Sequence, residues 1–138
     1  DALLEKNYPK NKLDKNGLPP SHYFLNSGKN IISNSRRLGK LDFNQRDKDD
    51  VAFLHKAAYG GMDATLLNKL ISRINVDTNV KTKYNWTPLH FAARENNYYM
   101  ASILVQNGGN KNASDAWGRT PYEIAKERKF NSLKSLLK

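Results

Sequence analysis

The sequence predicts an all-α solenoid of stacked helix-turn-helix units with protruding β-turn fingers, and three observations predict it. Residues 85 to 97, NWTPLHFAARENN, align with 118 to 130, GRTPYEIAKERKF, placing Thr87 and Thr120 33 positions apart. LHKAAYGG at 54 to 61 aligns with LHFAAREN at 89 to 96, His55 standing 35 positions before His90. A further step of 33 upstream from His55 lands on His22. A period of 33 with one two-residue insertion accounts for all three, and self-similarity at a fixed period of this length marks a repeat architecture.

Composition agrees with a thin or elongated core. Hydrophobic residues make up 38% of the 138 and charged residues 26%, which leaves much surface to solvent. The absence of cysteine excludes disulfide scaffolds, cysteine zinc sites and thiol catalysis. The longest apolar runs, such as Ile103 to Val105, fall far short of a bilayer span, and Asp1 to Lys10 lacks the shape of a signal peptide, so no membrane insertion is expected. The chain opens without Met, inside the helix-like LLEK, and is expected to be a piece of something longer.

Taken in order, the units read as follows. Residues 1–13 are expected to be the second helix and exit of a truncated preceding repeat, because ALLEKNYPKNKLDKNG at 2 to 17 aligns with SILVQNGGNKNASDAWG at 102 to 118 with one position lost. Residues 14–46 form the first full repeat. Its stretch DKNGLPPSHYFLNSG has the composition of a linker, yet it holds Asp14, Gly17, Pro20, His22 and Gly28 where the last unit has Asp115, Gly118, Pro121, Glu123 and Lys129. With Pro19, Ser21, Phe24 and Leu25 off the pattern, this unit is expected to be the least regular. Residues 47–81 form a repeat with the two-residue insertion, expected to lengthen the second helix or its exit around Leu70 to Asn75. Residues 82–114 are the most regular repeat. Residues 115–138, polar on their outer side through Lys126, Glu127, Arg128, Lys129, Lys134 and Lys138, are the C-terminal capping repeat.

Each recurring residue has a physical reason. Thr87 is placed to cap the first helix, its hydroxyl accepting from an orphan amide, and Pro88 sits where a missing N–H costs nothing. Ala57, Ala58, Ala92 and Ala93 are small where helix lies close on helix. Gly28, Gly61 and Asn96 occupy the turn between helices, where a left-handed residue is needed. Asp50 and Asn85 stand where Gly17 and Gly118 stand, and Asp and Asn best tolerate that conformation. The second helices carry the core periodicity: Leu66, Leu67, Leu70 and Ile71, then Met100, Ile103 and Leu104, then Leu133, Leu136 and Leu137. No such helix hides its face alone, so stability is a chain of nearest-neighbour interfaces.

A 33-residue unit in which Thr-Pro-Leu-His opens a helix, followed by a small pair, a Gly or Asn, and an apolar helix, resembles the ankyrin repeat. The resemblance covers essentially all 138 residues and is most specific at 86 to 114, WTPLHFAARENNYYMASILVQNGGNKNAS. It implies partner binding through the finger tips and the inner face of the first helices. On the period the tips are Lys15, Asn16 and Leu18; Lys48, Asp49 and Val51; Lys83, Tyr84 and Trp86; Ala116, Trp117 and Arg119. Inner-helix positions are Asn26 and Ser27; Tyr59 and Gly60; Arg94 and Glu95; Glu127 and Arg128. Turn tips have no core to fill, and Trp, Tyr and Arg dominate binding hot spots. The candidate partner-binding residues are therefore Tyr59, Lys83, Tyr84, Trp86, Arg94, Trp117 and Arg119. The competing reading is that Trp86 and Trp117 pack laterally on the neighbouring finger. Tyr98 and Tyr99, at the turn between helices, read as exposed rings with a packed base.

No catalytic, cofactor or metal residues are expected. His22, His55 and His90 recur one repeat thickness apart, roughly 10 Å, too far to share a metal. His90 is expected to bond Thr87 in the manner of a capping box. Ser35 and Asp42 have no His in a triad relation, and the Gly pairs at 60–61 and 108–109 are helix-end signals outside any phosphate-loop pattern.

The leading functional expectation is a non-catalytic scaffold, monomeric and intracellular, whose concave aromatic and basic face takes an acidic or mixed protein segment. In a pathogen it would act as a host-directed effector. A basic nucleic-acid-binding module is the alternative from another class, motivated by the net charge of +10. Charge placement weighs against it: residues 1–46 and 83–138 each carry nine cations and four anions, while 47–82 carries five of each, so the Lys and Arg form no continuous stripe. A third expectation is a regulatory or targeting arm of an enzyme lying outside these residues.

Overall fold

At four places among the described residues an Asp or Thr bends the backbone back on itself into a finger. The computed structural model describes residues 13–19, Ser21 and 42–138; His22, Phe24, Leu25, Asn26, Ser27, Gly28 and the helix expected before Leu13 lie outside them. The side-chain oxygen of Asp14 accepts amides two and four residues on, at 2.8 and 2.9 Å. Asp47 does the same at 2.8 and 3.1 Å, Thr82 at 3.3 and 3.2 Å, and Asp115 at 2.9 Å twice. The residue three beyond each is left-handed, with φ of 77° at Gly17, 62° at Asp50 and Asn85, and 80° at Gly118. The expected tolerance of Asp50 and Asn85 for a glycine position is met, since their short polar side chains visit this region at low cost. Neighbouring fingers are also hooked together, Lys48 N–H donating to the Gly17 carbonyl at 3.1 Å and Ala116 N–H to that of Tyr84 at 2.9 Å.

Among the described residues six α-helices follow the fingers in pairs, with no strand: α1 (Phe53–Lys56) and α2 (Ala64–Ile71), α3 (Pro88–Arg94) and α4 (Tyr98–Gln106), α5 (Pro121–Glu127) and α6 (Asn131–Leu137). The first helices contact one another in one row, and α2, α4 and α6 do so in a second. Ala57, Ala58, Ala92, Ala93 and Ala125 are fully buried where the first row packs. From the second row come buried Leu67, Leu70, Met100, Leu104, Leu133 and Leu137, with Leu66, Ile103 and Leu136 partly buried against them. These are the residues the apolar periodicity selects. Asp63 and Asn97 cap α2 and α4 through side-chain bonds to the amides of Leu66 and Met100, at 3.1 and 3.2 Å.

Two expectations are corrected. Thr120 caps α5 through its hydroxyl, which accepts from Glu123 N–H at 3.3 Å. At Thr87 the hydroxyl turns to the ring instead, donating to His90 Nδ1 at 2.9 Å, the same nitrogen that accepts the Thr87 amide at 3.1 Å. The second correction concerns the insertion. Eight residues separate His55 from the cap Asp63, against seven from His90 to the cap Asn97; nineteen separate Asp63 from Thr82, against eighteen from Asn97 to Asp115. One extra residue therefore widens the turn after α1 into a π-turn, Ala57–Gly61, and the other lies in the exit beyond α2, which is itself no longer than α4. The widened turn moves the left-handed residue one place early, to Gly60 (φ 116°) in place of Gly61. Asn96 takes that conformation as expected, and so does Lys129, at φ 53° and 59°.

The exits are tied by an asparagine ladder. Asn44 Oδ1 accepts from Asp77 N–H at 2.6 Å, and Asn79 Oδ1 accepts from Asn110 N–H at 2.7 Å.

Inside the stack the histidines act as bridges. His55 is fully buried; its Nδ1 accepts from Ala52 N–H at 2.9 Å, which leaves Nε2 protonated to donate to the carbonyls of Val80 and Trp86 at 2.8 and 3.0 Å. His90 repeats the arrangement, Nε2 donating to the Arg119 carbonyl at 2.9 Å. Burial pulls the His55 pKa down from 6.5 to about 4 against the opposing pull of its carbonyl partners, and burial lowers that of His90 as well. Folding thus holds both rings neutral, while the unfolded chain takes up protons below about pH 6.5. Stability should be level above about pH 6.5 and should fall as pH drops towards 4, with roughly 3 kcal/mol of loss from His55 alone; urea unfolding at half-unit pH steps checks this. Lys129→Gly, which relieves a left-handed residue bearing a Cβ, should raise stability by about 1 kcal/mol in the same assay.

Candidate partner-binding face

Three fingers and α3, the first helix of the second pair, enclose an open cavity of about 310 Å³. Its walls include Asp49 and Val51 from one finger, Lys83, Tyr84 and Trp86 from the next, Trp117 and Arg119 from the last, and Phe91 and Arg94 from α3. Six of the seven residues selected from the sequence line it. The seventh, Tyr59, sits on the π-turn and joins the group through Arg94, whose guanidinium carbon lies 5.4 Å from the Tyr59 ring centre. The sequence reading overlooked Phe91, which follows the recurring His90 and looks like core, yet its ring packs against both Trp86 and Arg94.

The two tryptophans have different environments. Trp117 is 63% exposed and leans on Tyr84, itself half exposed, with ring centres 5.5 Å apart. Trp86 is partly buried against the core. Its indole N–H donates to Asp115 Oδ2 at 3.1 Å, and its ring meets Phe91 edge-on at 5.0 Å and His90 at 5.7 Å. The premise that turn tips have no core to fill therefore holds for Trp117 and not for Trp86. The reason is the offset between fingers: Trp86, at the base of its own finger, reaches across to Asp115 of the next.

Asp115 is the local anchor. Burial disfavours its charge, but the amides of Arg119 and Trp117 and the Arg119 guanidinium, whose Nε donates to Oδ2 at 3.0 Å, hold its carboxyl below the usual carboxylate range. Arg119 lies 5.5 Å from the Trp117 ring centre and 5.9 Å from that of Trp86. Arg94 lies 5.3 Å from Trp86 and 5.5 Å from Phe91, its Nε donating to Glu95 at 3.0 Å. Lys83 Nζ stands 5.1 Å from the centre of the Tyr84 ring. Neither His55 nor His90 has a ring nitrogen to spare for a metal, since each Nδ1 holds an amide and each Nε2 a carbonyl. No helix among the described residues is long and apolar enough to cross a membrane.

A family model described as ankyrin repeats (3 copies) matches residues 54–138. The chain belongs to the ankyrin-repeat family. The potassium channel KOR2 of Oryza sativa is 36% identical over 76 residues, 55% of this chain and 10% of the channel. The potassium channel SKOR of Arabidopsis thaliana is 41% identical over 63 residues, 46% of this chain and 8% of the channel. An ankyrin repeat protein of Rickettsia bellii is 37% identical over 59 residues, 43% of this chain and 35% of that protein. The chain thus aligns with about a tenth of each channel and about a third of the bacterial protein. Ankyrin repeats are generally protein–protein interaction modules and are typically non-catalytic. In this ankyrin array, Trp86→Ala should cost about 2–3 kcal/mol of stability through lost packing and the loss of one of the two bonds to Asp115 Oδ2. Trp117→Ala should cost under about 0.5 kcal/mol, as read from paired urea denaturation curves.

Proposed function

We propose that this ankyrin array is a non-catalytic recognition module that holds a protein partner against its fingers, with Tyr59, Lys83, Tyr84, Trp86, Arg94, Trp117 and Arg119 forming the contact. The partner segment is acidic. The observation that carries the reading is the cavity shared by three consecutive fingers, walled by aromatic rings with Lys and Arg between them. A monomeric globular protein has little reason to expose Tyr59, Tyr84 and Trp117 together, and fixed aromatic rings give contact area with little conformational entropy left to lose.

A second reading extends the first. Because the chain matches only a small share of the two channels, the array serves as the binding arm of a longer protein whose other activity lies elsewhere.

Affinity capture with the native chain should retain a partner that the combined Lys83→Ala, Tyr84→Ala and Trp117→Ala variant loses, with cross-links from the captured protein mapping to residues 83–86 and 117–119. Capture that survives the triple change, at unchanged stability, would put the binding surface elsewhere.

A further inference from the structure

Resting on the finger cavity as the binding face, we infer what that cavity accepts: a single apolar side chain in an extended segment, flanked by a carboxylate that the ring-stacked guanidinium of Arg94 receives.

A cavity of about 310 Å³ sits at the bottom of the range for small-molecule sites, and matches one large side chain better than a whole ligand. What sets its preference is which ring faces are vacant. An aromatic site for a cation needs its π faces open, because the attraction comes from the negative face of the ring. Here the chain's own cations already hold them. Arg94 stands over Trp86, Tyr59 and Phe91 at 5.3, 5.4 and 5.5 Å, and Arg119 stands over Trp117 and Trp86 at 5.5 and 5.9 Å. A lysine or arginine from a partner would meet positive charge where it needs π density.

The same stacking prepares those guanidiniums for an anion. Arg94 is held by three rings, and its Nε is engaged by Glu95. Among the described residues its two terminal nitrogens have no acceptor. A fork immobilised in this way gives up little further freedom when a carboxylate docks on it. Lys83 adds a second cation whose ammonium has no carboxylate within salt-bridge range among the described residues. Of the three cations lining the cavity, Arg119 is paired with Asp115, whereas Lys83 and the terminal nitrogens of Arg94 are left to receive an acidic segment.

The test uses blocked Gly/Ser peptides of about seven residues, with one central Phe flanked by Glu, by Gln or by Lys. Binding to the whole chain is followed by the indole N–H resonances of Trp86 and Trp117, the two tryptophans of the sequence, assigned with Trp117→Phe. The Glu peptide should shift both resonances and bind roughly tenfold more tightly than the Gln peptide, the effect of a charge-assisted hydrogen bond; the Lys peptide should bind least. Arg94→Lys keeps the charge and loses the planar fork. It should cost the Glu peptide about fivefold or more and the Gln peptide less, so that the gap between the two narrows, and leave the urea midpoint near that of the native chain. Equal binding of all three peptides, with both indoles shifting, would keep the binding face and overturn the carboxylate preference, as would a tighter Lys peptide. Indoles unmoved by every peptide up to millimolar concentration would overturn the face as well. Tighter binding of an oligothymidine to the same resonances would overturn the inference in favour of nucleic acid.

Discussion

A buried neutral imidazole that closes one helix start and grips the next finger is the constraint on which the rest of the structure depends. Each first helix begins with an amide lacking an intrahelical partner, and His55 or His90 accepts it three residues on. That bond decides the tautomer, and the tautomer turns the opposite nitrogen into a donor aimed at a neighbouring carbonyl. Local helix capping and inter-unit assembly are thus a single event. In the last unit Glu123 stands in this position and is exposed.

The candidate face inherits its geometry from the same joints. Its walls come from three fingers, so no unit owns it, and its rings keep their spacing only while the fingers keep theirs. Asp115 connects the two roles: one oxygen shapes its own finger, and the other holds Trp86 of the preceding one. The division of labour between the tryptophans follows from position along the finger. Trp86 lies at a base, within reach of the next unit, while Trp117 lies nearer a tip, where Tyr84 is its ring neighbour.

Much of this architecture was legible in the residues because a period supplies its own controls. Asp50 and Asn85 could be read as left-handed by standing where Gly17 and Gly118 stand, and the second-row leucines by their spacing alone. The reading weakened wherever a unit departed from the period. The two extra residues between His55 and His90 were legible as a count and not as a location, because an α-turn and a π-turn differ by one residue and the Gly-Gly at 60–61 permits either. Phe91 was hidden for the opposite reason: a ring in an apolar helix looks like core, and only the placement of Arg94 above it brings it to the cavity wall. For Trp86 the residues left contact and lateral packing both open, because a residue's own finger says nothing about the reach of its side chain to the next one.

The acceptors that the histidines use are main-chain carbonyls, those of Val80, Trp86 and Arg119. A carbonyl is the same whatever side chain follows it. Trp86 and Arg119 can therefore serve as joints through their backbone while their side chains face the cavity, and the joint would survive replacement of either by another residue. Such a design separates heredity of shape from heredity of specificity: mutations can drift through the recognition positions, and whole units can be duplicated or exchanged, without a compensating change in the partner half of each joint.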